Sequence, residues 1–382
     1  MKIRLLKKLV CPNFGTTDFQ VYGIEVNRDG EILHNIGHGE LAETDDIKEG
    51  VLVNYDNDTA YPVSSYILSL LGDEDVDIDH YKQLLGTISK NCPPEFVTTI
   101  SNSLARLKKT KTTAEGDWNR EEMDYYDADV ATQELREAFL QRIKSSMTWH
   151  IYLERGKHLV ERTDLNENSS VLEVGCGNAR SMSWLAPPKE IGYEYVGIDI
   201  SWKRLLLARA VLPEGDFVQA SALALPYSDR SFSVVVAFGS LHHLPNAGAG
   251  FIEAIRIIAD EGNFLLHEPI AKRPFLPKGK FNWLRNWLNI GQYEHSDHDN
   301  EIDLEEFKQL ISERNLKIAH EYFSVSLVRA IMTIGPMRRV PFFYNKRWWQ
   351  LIIWLDNRFI SLPFVKQSSF GPSAVAMVLS KS

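Results

Sequence analysis

An apolar run, Val171-Leu172-Glu173-Val174, ends at an acidic residue and a valine and then breaks into Gly175-Cys176-Gly177. Glycines at the tip of a strand let the backbone turn tightly and lie against a ligand with no Cβ in the way. Twenty-two residues beyond Gly177, a second apolar run ends in Asp199. A carboxylate there can accept hydrogen bonds from ribose hydroxyls, which makes the pair a candidate nucleoside cradle. Later runs end near Ser221, Gly239, His242, His243 and Glu268. A histidine or carboxylate beside such a cradle can take a proton from an attacking hydroxyl.

Two cofactor classes use a cradle of this kind, and the residues distinguish them. A dinucleotide needs a third glycine for close helix packing. Here the third position of the G-x-G-x-x-G pattern is Arg180, and Glu173 sits poorly beside a pyrophosphate. A cationic, phosphate-free nucleoside suits these charges better. Cys176 reads as a small residue at a tight turn, because nothing near it in sequence favours a reactive thiolate.

Positioning these residues requires strands that end together. The runs VLEVG, YEYVGIDI, DFVQAS, SVVVAFG and GNFLLHE alternate with helix-like segments, which predicts a doubly wound, mostly parallel sheet of seven strands in an α/β fold. LEEFKQLISERN then reads as a helix, LKIAHEYFSVS as a strand and SAVAMVLSK as a closing strand. Upstream, residues 1–71 read as a small β-rich head and 72–148 as a helical linker. Residues 149–326 with 372–382 make the ligand-binding domain, interrupted at 327–371 by an aromatic and basic insert.

These motifs resemble the class I S-adenosylmethionine-dependent methyltransferases, especially those acting on small molecules and glycans. VLEVGCGNAR is similar to the first motif of that superfamily, with Ala179 replacing the usual last glycine, and YVGIDIS to the second. The resemblance implies a Rossmann-like fold and a cofactor set of Glu173, Gly175, Cys176, Gly177, Asp199, Ile200, Ser201, Ser221, Ala222, Leu223, Phe238 and Gly239. Asp199 would bind the ribose, with Ile200 and Ser201 near the adenine. The family pattern has Asp where Ser221 and Ser233 stand. By the same resemblance a leader carrying Trp118, Tyr125 and Tyr126 folds over the cofactor, which becomes S-adenosylhomocysteine on transfer; the alternative is that these aromatics pack the helical leader against the domain. His242, His243 and Glu268 are the candidate bases, and each also has a structural reading: packing for the histidines, orienting a loop for Glu268.

The head resembles the small zinc-ribbon module found free as a methyltransferase activator and fused to others. Such a ribbon needs two cysteine pairs, but only Cys11 stands in a ligand position, with Phe14, Asn54 and Asn57 in the others. No metal is expected.

A net charge of -9, with 44% hydrophobic and 24% charged residues, argues against general nucleic-acid binding. The three cysteines show no disulfide or metal spacing, and MKIRLLKKLVCPNF lacks the features of an export signal. A cytoplasmic protein is expected. The insert crowds Arg338, Arg339, Lys346 and Arg347 beside Trp348, Trp349 and Trp354, so residues 338–364 are read either as a peripheral membrane contact or as a helix packed on the domain or in a homodimer. The acceptor is expected to be a small molecule, a sugar or a lipid-linked intermediate, methylated at oxygen. Alternatives are tRNA or protein methylation, and a scaffold that keeps the fold without catalysis.

Overall fold

The computed structural model of the chain describes residues 1–72, 78–107, 121, 156–270, 302–324, 351, 354, 355, 358 and 374–381. Five strands precede the first helices: β1 (Gln20–Arg28), β2 (Glu31–Gly37), β3 (Asp46–Asn54), β4 (Thr59–Ser64) and β5 (Ile67–Ser69). Helices α1 (Ile78–Ser89) and α2 (Pro94–Leu107) follow. The predicted strands appear as β6 (Ser170–Val174), β7 (Glu194–Asp199), β8 (Asp216–Gln219), β9 (Phe232–Phe238) and β10 (Ile258–Pro269), all mutually parallel. The last two are β11 (Leu316–Ser324) and β12 (Ala374–Lys381). Their order, β8-β7-β6-β9-β10-β12-β11, with β12 antiparallel to both neighbours, is the expected seven-stranded sheet.

Alternation along the strands divides the core in two. Leu172, Val174, Val196 and Ile198 face a layer holding Phe251 of α6 (Ala247–Arg256) and Phe307 of α7 (Leu304–Glu313). Val171, Val234 and Val236 face Met182 of α3 (Arg180–Leu185) and Leu205 of α5 (Trp202–Val211), with the short α4 (Pro188–Ile191) between those helices in sequence. Strands covered on both faces must be apolar at nearly every position, hence the uninterrupted runs in the sequence. Caps start the helices where the sequence offers them: the Ser201 side chain accepts from the Arg204 amide, and Asn246 from Ala249.

Sequence texture draws a border near residue 71, but the hydrogen-bond ladder crosses it. Strand β5 pairs in parallel with β8, and β4, β3, β1 and β2 continue antiparallel from there, giving one sheet of twelve strands. The segment Ile3–Lys8 is a 3-10 helix. Ser233 is explained here too: its hydroxyl bridges the Ser170 amide and carbonyl at the start of β6, at the end of the sheet away from the strand tips.

The four ribbon positions in the head fit no metal. Cys11 Sγ lies 3.1 Å from Tyr61 Oη, and Phe14 is exposed beneath the Arg106 guanidinium. Asn54 Nδ2 donates to Thr16 Oγ1 at 3.1 Å and to the Asp18 carbonyl at 2.7 Å, while its Oδ1 accepts from the Asn57 amide and side chain at 3.1 and 3.0 Å. Asn57 also donates to Thr16 Oγ1. Amides thus stitch the two turns that a ribbon would pin with zinc. Among the described residues no group of three His, Cys, Asp or Glu is placed to hold a metal ion. Asn54→Ala removes the hydrogen bonds of a buried side chain and should cost about 1–3 kcal/mol, read as a lower urea midpoint. A chelator should leave the wild-type midpoint where it is; a fall would show a metal in the head.

Candidate functional site

The parallel strands point their carboxyl ends the same way, and a cavity opens there, enclosing about 700 Å³ including its mouth. Its wall is built from Val174 and Gly175 after β6, Ile198 to Ile200 at the end of β7, Arg204 of α5, Ala220 to Ala222 after β8, and Gly239, Ser240, His243 and Leu244 after β9.

Gly175 has φ of +64°, and a Cβ placed on it would lie 2.5 Å from the Ser240 Cβ. Both the left-handed backbone and the contact between loops therefore require glycine. Gly177 also has positive φ, and its amide donates to Asp199 Oδ2 at 2.7 Å. The Ser201 amide donates to Asp199 Oδ1 at 2.9 Å. Two backbone donors from two loops thus fix one carboxylate on the wall of the cavity.

A second carboxylate organises the other loop. Glu268 Oε1 accepts the amides of Ser240 and Leu241, both at 2.9 Å, and Oε2 lies 2.8 Å from His242 Nδ1. A carboxylate accepting backbone donors leaves Nδ1 as the donor in that contact. The 3-10 turn Leu241–His243 is shaped by this clamp, which holds the His242 and His243 rings 3.9 Å apart. His243 lines the cavity; His242 and the buried Glu268 stand behind it.

Other expected residues stand elsewhere. Glu173 is 2% exposed and absent from the cavity wall. The period of two turns its side chain into the layer under α3, where Tyr195 Oη donates to it at 2.6 Å. Burial pushes its carboxyl up to about 7, against hydrogen bonds from Tyr195, Ser181 and the Met182 amide that favour the charged form. Cys176 is buried against Gly197, and desolvation raises its thiol well above the ordinary value, so it packs rather than reacts. Gly177, Ser201, Leu223 and Phe238 support the loops from outside the wall: Ser201 caps α5, Leu223 donates its amide to Ser221 Oγ, and Phe238 packs edge-on to His267. Tyr126, with Trp118 and Tyr125, lies outside the described residues. Sequence reasoning does not single out Arg204, Ala220 or Leu244. Only Arg204 carries a signal, since it lies three residues past the capping Ser201 and so in the first turn of its helix.

Residues 172–266 match the model of a methyltransferase domain. The chain carries a class I methyltransferase domain. Methyltransferase GfsG of Streptomyces halstedii is 29% identical over 170 residues, 41% of this chain and 60% of that protein. The 27-O-demethylrifamycin SV methyltransferase of Amycolatopsis mediterranei is 34% identical over 108 residues, 27% of this chain and 39% of that protein. The phthiotriol/phenolphthiotriol dimycocerosates methyltransferase 1 of Mycobacterium ulcerans is 33% identical over 99 residues, 25% of this chain and 36% of that protein. The chain thus spans 60% or less of the length of these relatives. The matched segment of the methyltransferase domain takes in the glycine turn, Asp199 and both histidines, and stops short of Glu268 and the whole head.

Within the methyltransferase domain, Gly175→Ala must adopt a left-handed backbone and push back the Ser240 loop, at about 1–3 kcal/mol in urea denaturation. Glu173 makes a second test. Its carboxyl is raised in the folded chain, so the stability it provides is fully present below about 4.5 and is lost as pH rises through about 7. Glu173→Gln should flatten the fall in urea midpoint between about pH 5 and about pH 8, and an unchanged profile would place that titration elsewhere.

Proposed function

We propose that the chain transfers a methyl group from S-adenosylmethionine to a hydroxyl of a small-molecule, sugar or lipid-linked acceptor, releasing S-adenosylhomocysteine. The observation that carries this reading is the Asp199 carboxylate, fixed by the Gly177 and Ser201 amides on the wall of a cavity that begins at Gly175. Asp199 accepts from the ribose hydroxyls. Ile200 and Ala222 give the adenine apolar contact, Ser221 offers a hydroxyl where the family pattern has a carboxylate, and Gly175 and Gly239 let the backbone close on the methionine portion. When bound, the sulfonium supplies an electrophilic methyl group.

The rest falls to the chain's own residues. Alignment of the acceptor and exclusion of water are the main requirements of an in-line displacement. His243, at the cavity wall, takes the hydroxyl proton as the new oxygen–carbon bond forms. Glu268 acts at one remove, holding the turn and presenting His242 Nδ1 as a donor. Support for an oxygen acceptor comes from the relative that acts on an O-demethyl compound. Support for a lipid-linked one comes from the insert, where Leu351, Trp354 and Leu355 are exposed at helical spacing and the Arg358 guanidinium sits 5.6 Å from the Trp354 ring. No helix among the described residues is long and apolar enough to cross a membrane.

Calorimetry with S-adenosylhomocysteine tests the cradle. Asp199→Ala should abolish binding while the circular dichroism stays that of the wild type; full retention of affinity would remove the ribose assignment, and a wild type that does not bind would favour a scaffold. With a hydroxyl acceptor found by screening for S-adenosylhomocysteine release, His243→Ala should lower turnover by about 10²–10⁴ with a smaller effect on cofactor affinity. Equal losses in both would make His243 a binding residue.

A further inference from the structure

The head meets the methyltransferase sheet through three residue pairs, Ile67 with Phe217, Leu68 with Val218 and Ser69 with Gln219. The first two pairs are apolar, as a buried junction should be. The third is not, though Ser69 is 0% and Gln219 2% exposed. It lies at the strand tips, and Gln219 is the ladder partner of Asp199 on the other side.

The bonds at this pair all run in one direction. Ser69 Oγ lies 2.7 Å from Gln219 Oε1, and Gln219 Nε2 donates to the Ile200 carbonyl at 2.9 Å. A carbonyl only accepts, which places the amide nitrogen there and makes Ser69 the donor to Oε1. The Ile200 carbonyl belongs to the same peptide plane as the Ser201 amide, and that amide donates to Asp199 Oδ1. Head hydroxyl, glutamine amide, peptide plane and carboxylate thus form one chain of aligned donors and acceptors. Each bond in such a chain polarises the next, and the low dielectric of the interior strengthens all of them. Behind Ser69, Tyr81 Oη of α1 lies 3.3 Å from both the Ser69 and Ala60 carbonyls and shares its one proton between them, so the chain starts on a residue that the head's own helix holds in place.

We infer that Ser69 and Gln219 are positioning residues for the cofactor: through the Ile200–Ser201 peptide they set the orientation of the Asp199 carboxylate, which makes the head an internal part of the cofactor site. Neither residue lines the cavity. An alternative apolar pair would pack the junction equally well, but it would leave the Ile200 carbonyl without this donor and the peptide plane held from its Ser201 amide side alone. Only an amide serves at Gln219, since one end must accept and the other donate.

The inference rests on the reading of the cavity as an adenosyl site, and the test separates the two. Ser69→Ala and Gln219→Leu should weaken S-adenosylhomocysteine binding by about 5- to 10-fold in calorimetry, and Ser69→Thr, which keeps the hydroxyl, should restore it. Amide hydrogen exchange in the ligand-free protein should speed up at residues 199–203 in both variants. Asn54→Ala, which loosens the head at its far turns, should lower the urea midpoint yet leave affinity and exchange at 199–203 at wild-type values. The inference is overturned if Ser69→Ala matches the wild type in affinity and exchange, or if Asn54→Ala weakens binding as much as Ser69→Ala. A wild type that does not bind S-adenosylhomocysteine defeats the adenosyl reading, and with it the assignment of these residues to a cofactor.

Discussion

A carboxylate held by backbone amides at the end of a parallel sheet is the constraint on which this molecule depends. Parallel strands finish together, so their loops converge and must turn away without clashing. Asp199 solves this for two of them. By accepting from Gly177 and Ser201 it draws the glycine turn after β6 and the cap of α5 to one point. A charged acceptor forms stronger bonds than a neutral one, and the loops gain a fixed shape with no ligand present.

The same device appears at the neighbouring loop. Glu268, from the end of β10, gathers two amides and an imidazole of the turn after β9. One carboxylate therefore defines the side of the cavity that holds the glycine turn, and another defines the side that carries the histidines. Between them Gly175 and Ser240 touch, which is why a side chain cannot be added at Gly175. The glycine is needed as much for the meeting of loops as for any ligand.

The head extends this logic past the methyltransferase domain. Within the head, amide hydrogen bonds around Thr16 and Asn54 hold the turns together. Ladder pairing with β8 then joins the head to the sheet of the methyltransferase domain, with Arg209 of α5 bonded at 2.6 Å to Asp46 at the start of β3. Independent motion of the two parts would break this ladder, so the head behaves as the edge of the sheet.

Local patterns alone determined much of this. The glycine turn, the acidic end of the second strand and the alternation of buried runs with capped helices are properties of short segments, and short segments carry their own geometry. Tertiary structure decided the rest. Glu173 reads as a cofactor ligand in a linear motif, but side chains alternate across a strand, and that alternation sends it into the layer beneath α3. Nothing in the sequence near residue 71 shows that β5 will pair with β8, because a ladder between residues 150 positions apart depends on which strand edge is left open once the sheet has formed. Arg204 and Leu244 reach the cavity only because loops distant in sequence converge there. Sequence specifies which groups can make each bond, and the fold alone brings together the partners that complete it.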